Sequence, residues 1–166
     1  MSNSWIPKAV FLMVALVALW QGVTSFSAMP DRVASHFAAS GLPNGWMTKE
    51  AFFIVYGVMV LLAAVIEVYP ARSIARSPSR IHLPNKEYWL APERRAETYA
   101  CFEEYLAWYG CVFLLVEVLA MGLAIQANLN PAPRLSRGPI GMLVVGFLAF
   151  NIAFVVQLLR RFSKPK

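Results

Sequence analysis

A chain of 166 residues that is 58% hydrophobic and only 14% charged is too apolar for an ordinary water-soluble domain. Its two cysteines sit in no Cys-x-x-Cys or Cys/His pattern, which excludes a disulfide scaffold and a cysteine-ligated metal site. The net charge of +6 raises the question of nucleic acid, and the position of the cations along the chain answers it.

Four apolar runs punctuate the sequence, each near the roughly 20 residues a helix needs to cross a bilayer core. They predict helices over about 6–27, 49–69, 92–128 and 138–161. None alternates apolar with polar residues, as the strands of a membrane barrel would, so the expected fold class is all-α. It is an integral membrane bundle of four transmembrane helices, one domain spanning 1–166.

The first run opens with Trp5, Pro7 and Lys8 as interfacial anchors and helix start, and carries no charge between Lys8 and Asp31. Its length favours an uncleaved helix over a signal peptide. Gln21, Thr24 and Ser25 read as its polar exit.

Residues 29–49, MPDRVASHFAASGLPNGWMTK, follow as the only long mixed segment between the first two runs. Pro30 and Pro43 restrict the backbone while Gly41 and Gly45 permit positive φ, a composition that specifies an ordered outer loop. Asp31–Ala39 has the pattern of a short helix with Asp31 at its start and Gly41 at its end, and Leu42-Pro43-Asn44-Gly45 reads as a turn. Trp46 returns the chain to headgroup level, and Thr48 caps the second helix with Glu50 in its first turn. Asp31 and His36 lack the spacing of a metal site, and a histidine packed against Trp46 is the simpler expectation.

Met29-Pro30, Val33, His36, Gly41, Asn44-Gly45-Trp46 and Thr48-Lys49 form an ordered series between two apolar helices. In this the segment resembles membrane proteins of the DUF1648 family, whose loop reads Leu-Pro-x-x-Ile-Pro-x-His, then Gly, Asp-Gly-Trp and Ser-Lys. Ala34 stands where the family has its second proline. The resemblance extends to the SdpI-type bacterial immunity proteins, which protect against a secreted toxin and signal to a cytoplasmic repressor. It implies a binding surface in this loop built from Pro30, Asp31, His36, Gly41, Gly45, Trp46 and Lys49. The partner so implied is a peptide, a lipid or another membrane protein.

The second run ends at Glu67-Val68-Tyr69-Pro70, with Pro70 as the expected stop and Glu67 within reach of Arg72 or headgroup water. The loop over 70–98 is basic and serine-rich at first, then carries the interfacial cluster Tyr88-Trp89-Leu90 and a helix start at Pro92 that continues through Glu97, Cys101 and Tyr105. Glu117 lies deep in the third run, where a carboxylate costs several kcal/mol unless paired, hydrated or protonated. Asn151 of the fourth run matches its depth and is the expected partner. A glue between helices and a proton or cation site for ion-coupled transport are the two readings of Glu117. A short turn over 128–138 leads to the last run, closed by Arg160-Arg161.

With four crossings, Lys8, Arg72, Arg76, Arg80, Lys86, Arg94, Arg95, Arg160, Arg161, Lys164 and Lys166 share one side, against Arg32, Lys49, Arg134 and Arg137 on the other. This asymmetry predicts cytoplasmic termini in a cell inner membrane, with lipid headgroups rather than nucleic acid as the partner of the cations. No Ser/His/Asp, Cys/His, phosphate-cradle or His-Glu-x-x-His pattern is present, so the sequence points away from an enzyme and calls for no cofactor. An accessory subunit of a membrane complex is a further alternative.

Overall fold

The computed structural model describes residues 5–76 and 83–163, with backbone alone over 66–76. Helix α1 spans Trp5–Phe26, strands β1 and β2 span Arg32–Phe37 and Pro43–Thr48, and α2 spans Lys49–Arg76. The short α3 (Lys86–Trp89), the long α4 (Arg95–Asn128) and α5 (Arg137–Phe162) complete the order. Among the described residues α1, α4 and α5 are long and apolar enough to cross a membrane. The absence of any strong amphipathic bias in these helices follows from an environment that is apolar on both their faces.

Helix α4 is the axis of the bundle, packed against α1 and α2 on one side and α5 on the other. Phe11 and Ala18 of α1, Tyr56 and Ala63 of α2, and Cys111, Leu114 and Val118 of α4 form the central core. The 111–114–118 spacing puts these α4 residues on one stripe. Cys111 donates its thiol proton to the Pro7 carbonyl at 3.1 Å, and neither it nor Cys101 forms a disulfide. On the opposite flank of α4, Tyr105, Tyr109 and Phe113 meet Phe147, Phe150 and Phe154 of α5 in a run of aromatic contacts.

Each end of the bundle has its own closure. At one, α3 packs Trp89 edge-on against Phe162, whose ring stacks on Phe102 at 4.9 Å. Its indole N–H donates to the Phe162 carbonyl at 2.8 Å, and the Thr98 hydroxyl donates to the Trp89 carbonyl at 2.8 Å. The interfacial cluster read from the sequence is thus a packed plug. At the other end the β1–β2 hairpin lies on the bundle, with Met29, Val33, Phe52 and Ile125 as a second core.

The hairpin corrects two expectations. Asp31–Ala39 is not a helix: Arg32–Phe37 pairs antiparallel with Pro43–Thr48. An isolated helix of so few residues is marginal, whereas the strand buries Val33 completely and gains cross-strand bonds. Nor is Leu42–Gly45 the turn. The chain reverses over Ala38–Leu42, where Ala38 and Gly41 N–H groups donate to Leu42 and Ala38 carbonyls, both at 2.8 Å. Gly41 takes φ +82° there, the left-handed conformation only glycine adopts cheaply. Asn44 and Gly45 fall in β2 at an irregular register, which absorbs the residues that resembled a turn.

Two helix limits also move. Helix α2 does not stop near 69 but runs through Pro70 to Arg76; a proline deletes one backbone bond, and the turns on either side continue the helix. The third long helix begins at Arg95 rather than 92, because residues 91–94 form turns that carry the chain out of the α3 plug. From Arg95 it passes unbroken through Glu97, Cys101 and Tyr105 as expected, and α5 matches its expected limits closely.

Candidate functional site

The sequence-derived binding residues gather on the hairpin, and three ties fix it in place. At its base the Asp31 carboxylate and the Lys49 ammonium pair at 2.9 Å, and the Lys49 N–H donates to the Asp31 carbonyl at 3.0 Å. The hydrogen bond and the charge of Lys49 hold the Asp31 carboxyl below its ordinary value. Lys49 also stands 5.5 Å over the Phe26 ring, coupling the hairpin to the end of α1.

The second tie is Asn128, the last residue of α4 and almost wholly buried. Its side-chain oxygen accepts from Ala34 N–H at 2.6 Å, and its amide nitrogen donates to the Ala34 carbonyl at 2.9 Å. The side-chain amide thus acts as a one-residue strand on the β1 edge and satisfies both backbone groups of a fully buried residue. At the tip, the Leu135 N–H donates to the Gly41 carbonyl at 2.9 Å, and a Cβ on Gly41 would meet the Leu135 oxygen at 2.5 Å.

Between these ties opens a cleft of ≈ 450 Å³ whose walls include Pro30, Arg32, Trp46, Asn128, Pro131 and Pro133. Trp46, 46% exposed, stands opposite the small Ala34 across the strand pair. Arg32 is exposed, and among the described residues no ion pair engages it. An exposed indole, a guanidinium and a proline-lined wall at the edge of an apolar bundle offer stacking and anion recognition in one place.

His36 is exposed. Its Nδ1 lies 3.1 Å from the Ser35 hydroxyl, and its ring covers Gly45, where a Cβ would come within 3.0 Å of Nδ1. A side chain at Gly45 would therefore press on its cross-strand neighbour and not strain the backbone, since Gly41 is the one glycine with positive φ among the described residues.

The intramembrane polar residues separate into two groups. Asn151 is committed elsewhere than expected: its oxygen accepts from Tyr109 hydroxyl at 2.9 Å, and its nitrogen donates to the Phe147 carbonyl at 2.7 Å. It locks α5 onto α4 and does not partner Glu117. Both Glu117 oxygens are shut off from solvent and have no hydrogen-bond partner. Tyr56 of α2 lies within electrostatic reach of that carboxyl, and its hydroxyl donates to Gln21 Oε1 at 2.8 Å. Gln21 in turn donates to the Val118 carbonyl at 3.3 Å, so it faces α4 inside the bundle instead of forming the exit of α1. A Cβ on Gly122 would sit 2.8 Å from Gln21 Nε2, so a larger residue there would push the Gln21 amide aside. The Glu67 side chain lies outside the described residues.

Asn128, Leu135, Gln21 and Tyr56 were not singled out as site residues from the sequence. A polar residue at a helix end reads as a cap, and nothing local shows that its amide meets a strand 94 positions away. Comparison with known proteins locates the family in the same region: residues 12–60 match the domain of unknown function DUF1648, covering most of α1, the whole hairpin and the start of α2. No curated protein and no solved structure matches the chain.

Proposed function

We propose that this chain is a small four-crossing membrane protein that binds a peptide, lipid or protein partner on its hairpin, which faces outward as an ordered cap. In this reading α2 is the fourth crossing, both termini are cytoplasmic, and the membrane is a bacterial inner membrane. The concentration of cations at Lys8, in 72–95 and after Arg160 supports that orientation, because basic segments are retained on the cytoplasmic side.

One observation carries the binding role. The cap is tied down at base, edge and tip, yet leaves Trp46 and Arg32 open on the ≈ 450 Å³ cleft. Fixing a loop in advance removes the entropy cost of ordering it on binding, and an exposed Trp–Arg pair is the kind of anchor that dominates an interface. The family match spans this cap and parts of its flanking helices, which favours seeking the recognition role there rather than in the plug at the opposite end; an immunity-like or signalling-like character for it rests on the sequence resemblance.

A photo-crosslinking residue at position 46, with controls at the lipid-facing Leu148 and in an Arg32→Ala background, tests the role in native membranes. The proposal expects a discrete adduct from position 46 that is absent from 148 and weakened without Arg32. The same adducts from both positions, or none, contradict it. Replacing Pro30–Gly45 by a Gly/Ser segment of equal length, with the crosslinker kept at position 46, should remove the adduct while the long helices still fold.

A further inference from the structure

Glu117, half-buried with its carboxyl oxygens shielded, has no role in the hairpin reading and defines a second site that stands independently of it. Glu117 projects from α4 beside Leu114 and Val118, the residues that pack on α1 and α2. Both of its oxygens are sealed from solvent without a hydrogen-bond partner. It is the only carboxyl in that condition among the described residues.

The charged and titratable groups on every packed element leave it without a counter-ion. On α1, Lys8 is the one charge, and it pairs with Glu103 at 3.4 Å. On α2, Tyr56 is the titratable neighbour; Lys49 and Glu50 sit at the hairpin end, and Glu67 is about 16 Å of helix beyond Tyr56. On α4 the nearest acids, Glu103 and Glu104, are about 20 Å away along the axis. On α5 the charges Arg137, Arg160 and Arg161 lie at the two ends, and Asn151 is already bonded to Tyr109 and Phe147.

We propose that Glu117 is the ligand of an exchangeable monovalent cation, a proton or Na⁺, held inside the α1–α2–α4 bundle. An uncompensated carboxylate in an apolar interior is costly, and among the described residues no group pairs with it, which leaves the role to a small cation. Tyr56, which feels the charge of Glu117, offers a second oxygen. Tyr56 commits its proton to Gln21 Oε1, which leaves the phenol oxygen as an acceptor, and Gln21 is held by the Val118 carbonyl.

The test is infrared difference spectroscopy of the full chain in lipid nanodiscs, between mildly acidic and mildly alkaline pH, with and without Na⁺, on the parent and Glu117→Gln. A bound proton predicts a neutral-acid carbonyl band that is lost in the variant and falls as pH rises. Bound Na⁺ predicts a Glu117-dependent carboxylate band that shifts when Na⁺ replaces K⁺. Identical parent and variant spectra under all conditions overturn the proposal. If the variant fails to accumulate, reaction of the parent with dicyclohexylcarbodiimide, mapped by mass spectrometry, takes its place. A Glu117 adduct that diminishes with rising pH or added Na⁺ supports the site, and an adduct that is constant or absent overturns it. The outcome leaves the hairpin reading untouched, because the cleft and Glu117 share no residue.

Discussion

Replacing Asn128 by alanine should release the hairpin from the bundle. The substitution removes the acceptor of the Ala34 N–H and the donor to the Ala34 carbonyl, bonds of 2.6 and 2.9 Å. Ala34 is completely buried, so both backbone groups would be left unsatisfied unless the strand lifts to meet water. Each unsatisfied buried group costs about 1–3 kcal/mol, which puts the loss on the order of 2–6 kcal/mol for the closed cap. That is enough to make the open hairpin the dominant form if the closed one is favoured by a comparable amount. Asn128→Asp keeps an acceptor for the N–H but sets a carboxylate against the Ala34 carbonyl, so it should be at least as damaging. Limited proteolysis of the purified protein in detergent, scored for cuts within 30–48, reads the opening directly, and thermal unfolding reports whether the helices survive. The expected result is rapid cleavage of the hairpin with a smaller effect on the bundle. If Asn128→Ala resists protease as well as the parent, the amide pairing contributes nothing and the reasoning fails.

Gly41→Val should destabilise the cap by about 1–3 kcal/mol, because it forces a β-branched residue into positive φ and drives Cβ against the Leu135 oxygen; hydrogen exchange at Leu135 would show the loss. Gly45→Val should also loosen the hairpin, but through collision with the His36 ring, so His36→Gly should restore protection to Gly45→Val and do nothing for Gly41→Val. The Asp31–Lys49 pair contributes stability that is present above the ordinary carboxylate range and lost as pH falls through the lowered Asp31 value, so cap proteolysis should accelerate only in strong acid. Cysteines introduced at Ser40 and Ser163 should differ in labelling by a membrane-impermeant maleimide on intact cells, Ser40 reacting and Ser163 not. The reverse pattern would invert the proposed orientation.

Residues 29–49 show which physical signals are visible in a sequence and which are not. The glycines and prolines set this segment apart from the apolar runs, and the order of Pro30, His36, Gly41, Trp46 and Lys49 carried the family resemblance that the match over 12–60 bears out. The conformation was hidden, because a six-residue strand and a two-turn helix present similarly short apolar patterns, and only the bundle beneath Val33 and the amide of Asn128 decide between them. Length and hydropathy made α1, α4 and α5 legible, since lipid leaves the backbone few other options. The orientation of polar residues within those helices was not legible. Gln21 turns inward to α4, and Asn151 pairs with Tyr109 in place of Glu117, because helix rotation is set by contacts with neighbours that no single segment encodes.

The claim that matters most is that residues 29–49 form a fixed cap on which a partner can dock, and amide hydrogen exchange of the full chain in nanodiscs measures it most directly. The account predicts slow exchange at Ala34, whose N–H is held by Asn128, at Lys49, held by the Asp31 carbonyl, and at Leu135, held by the Gly41 carbonyl. Uniformly fast exchange across 30–48, as in an unstructured linker, would contradict it.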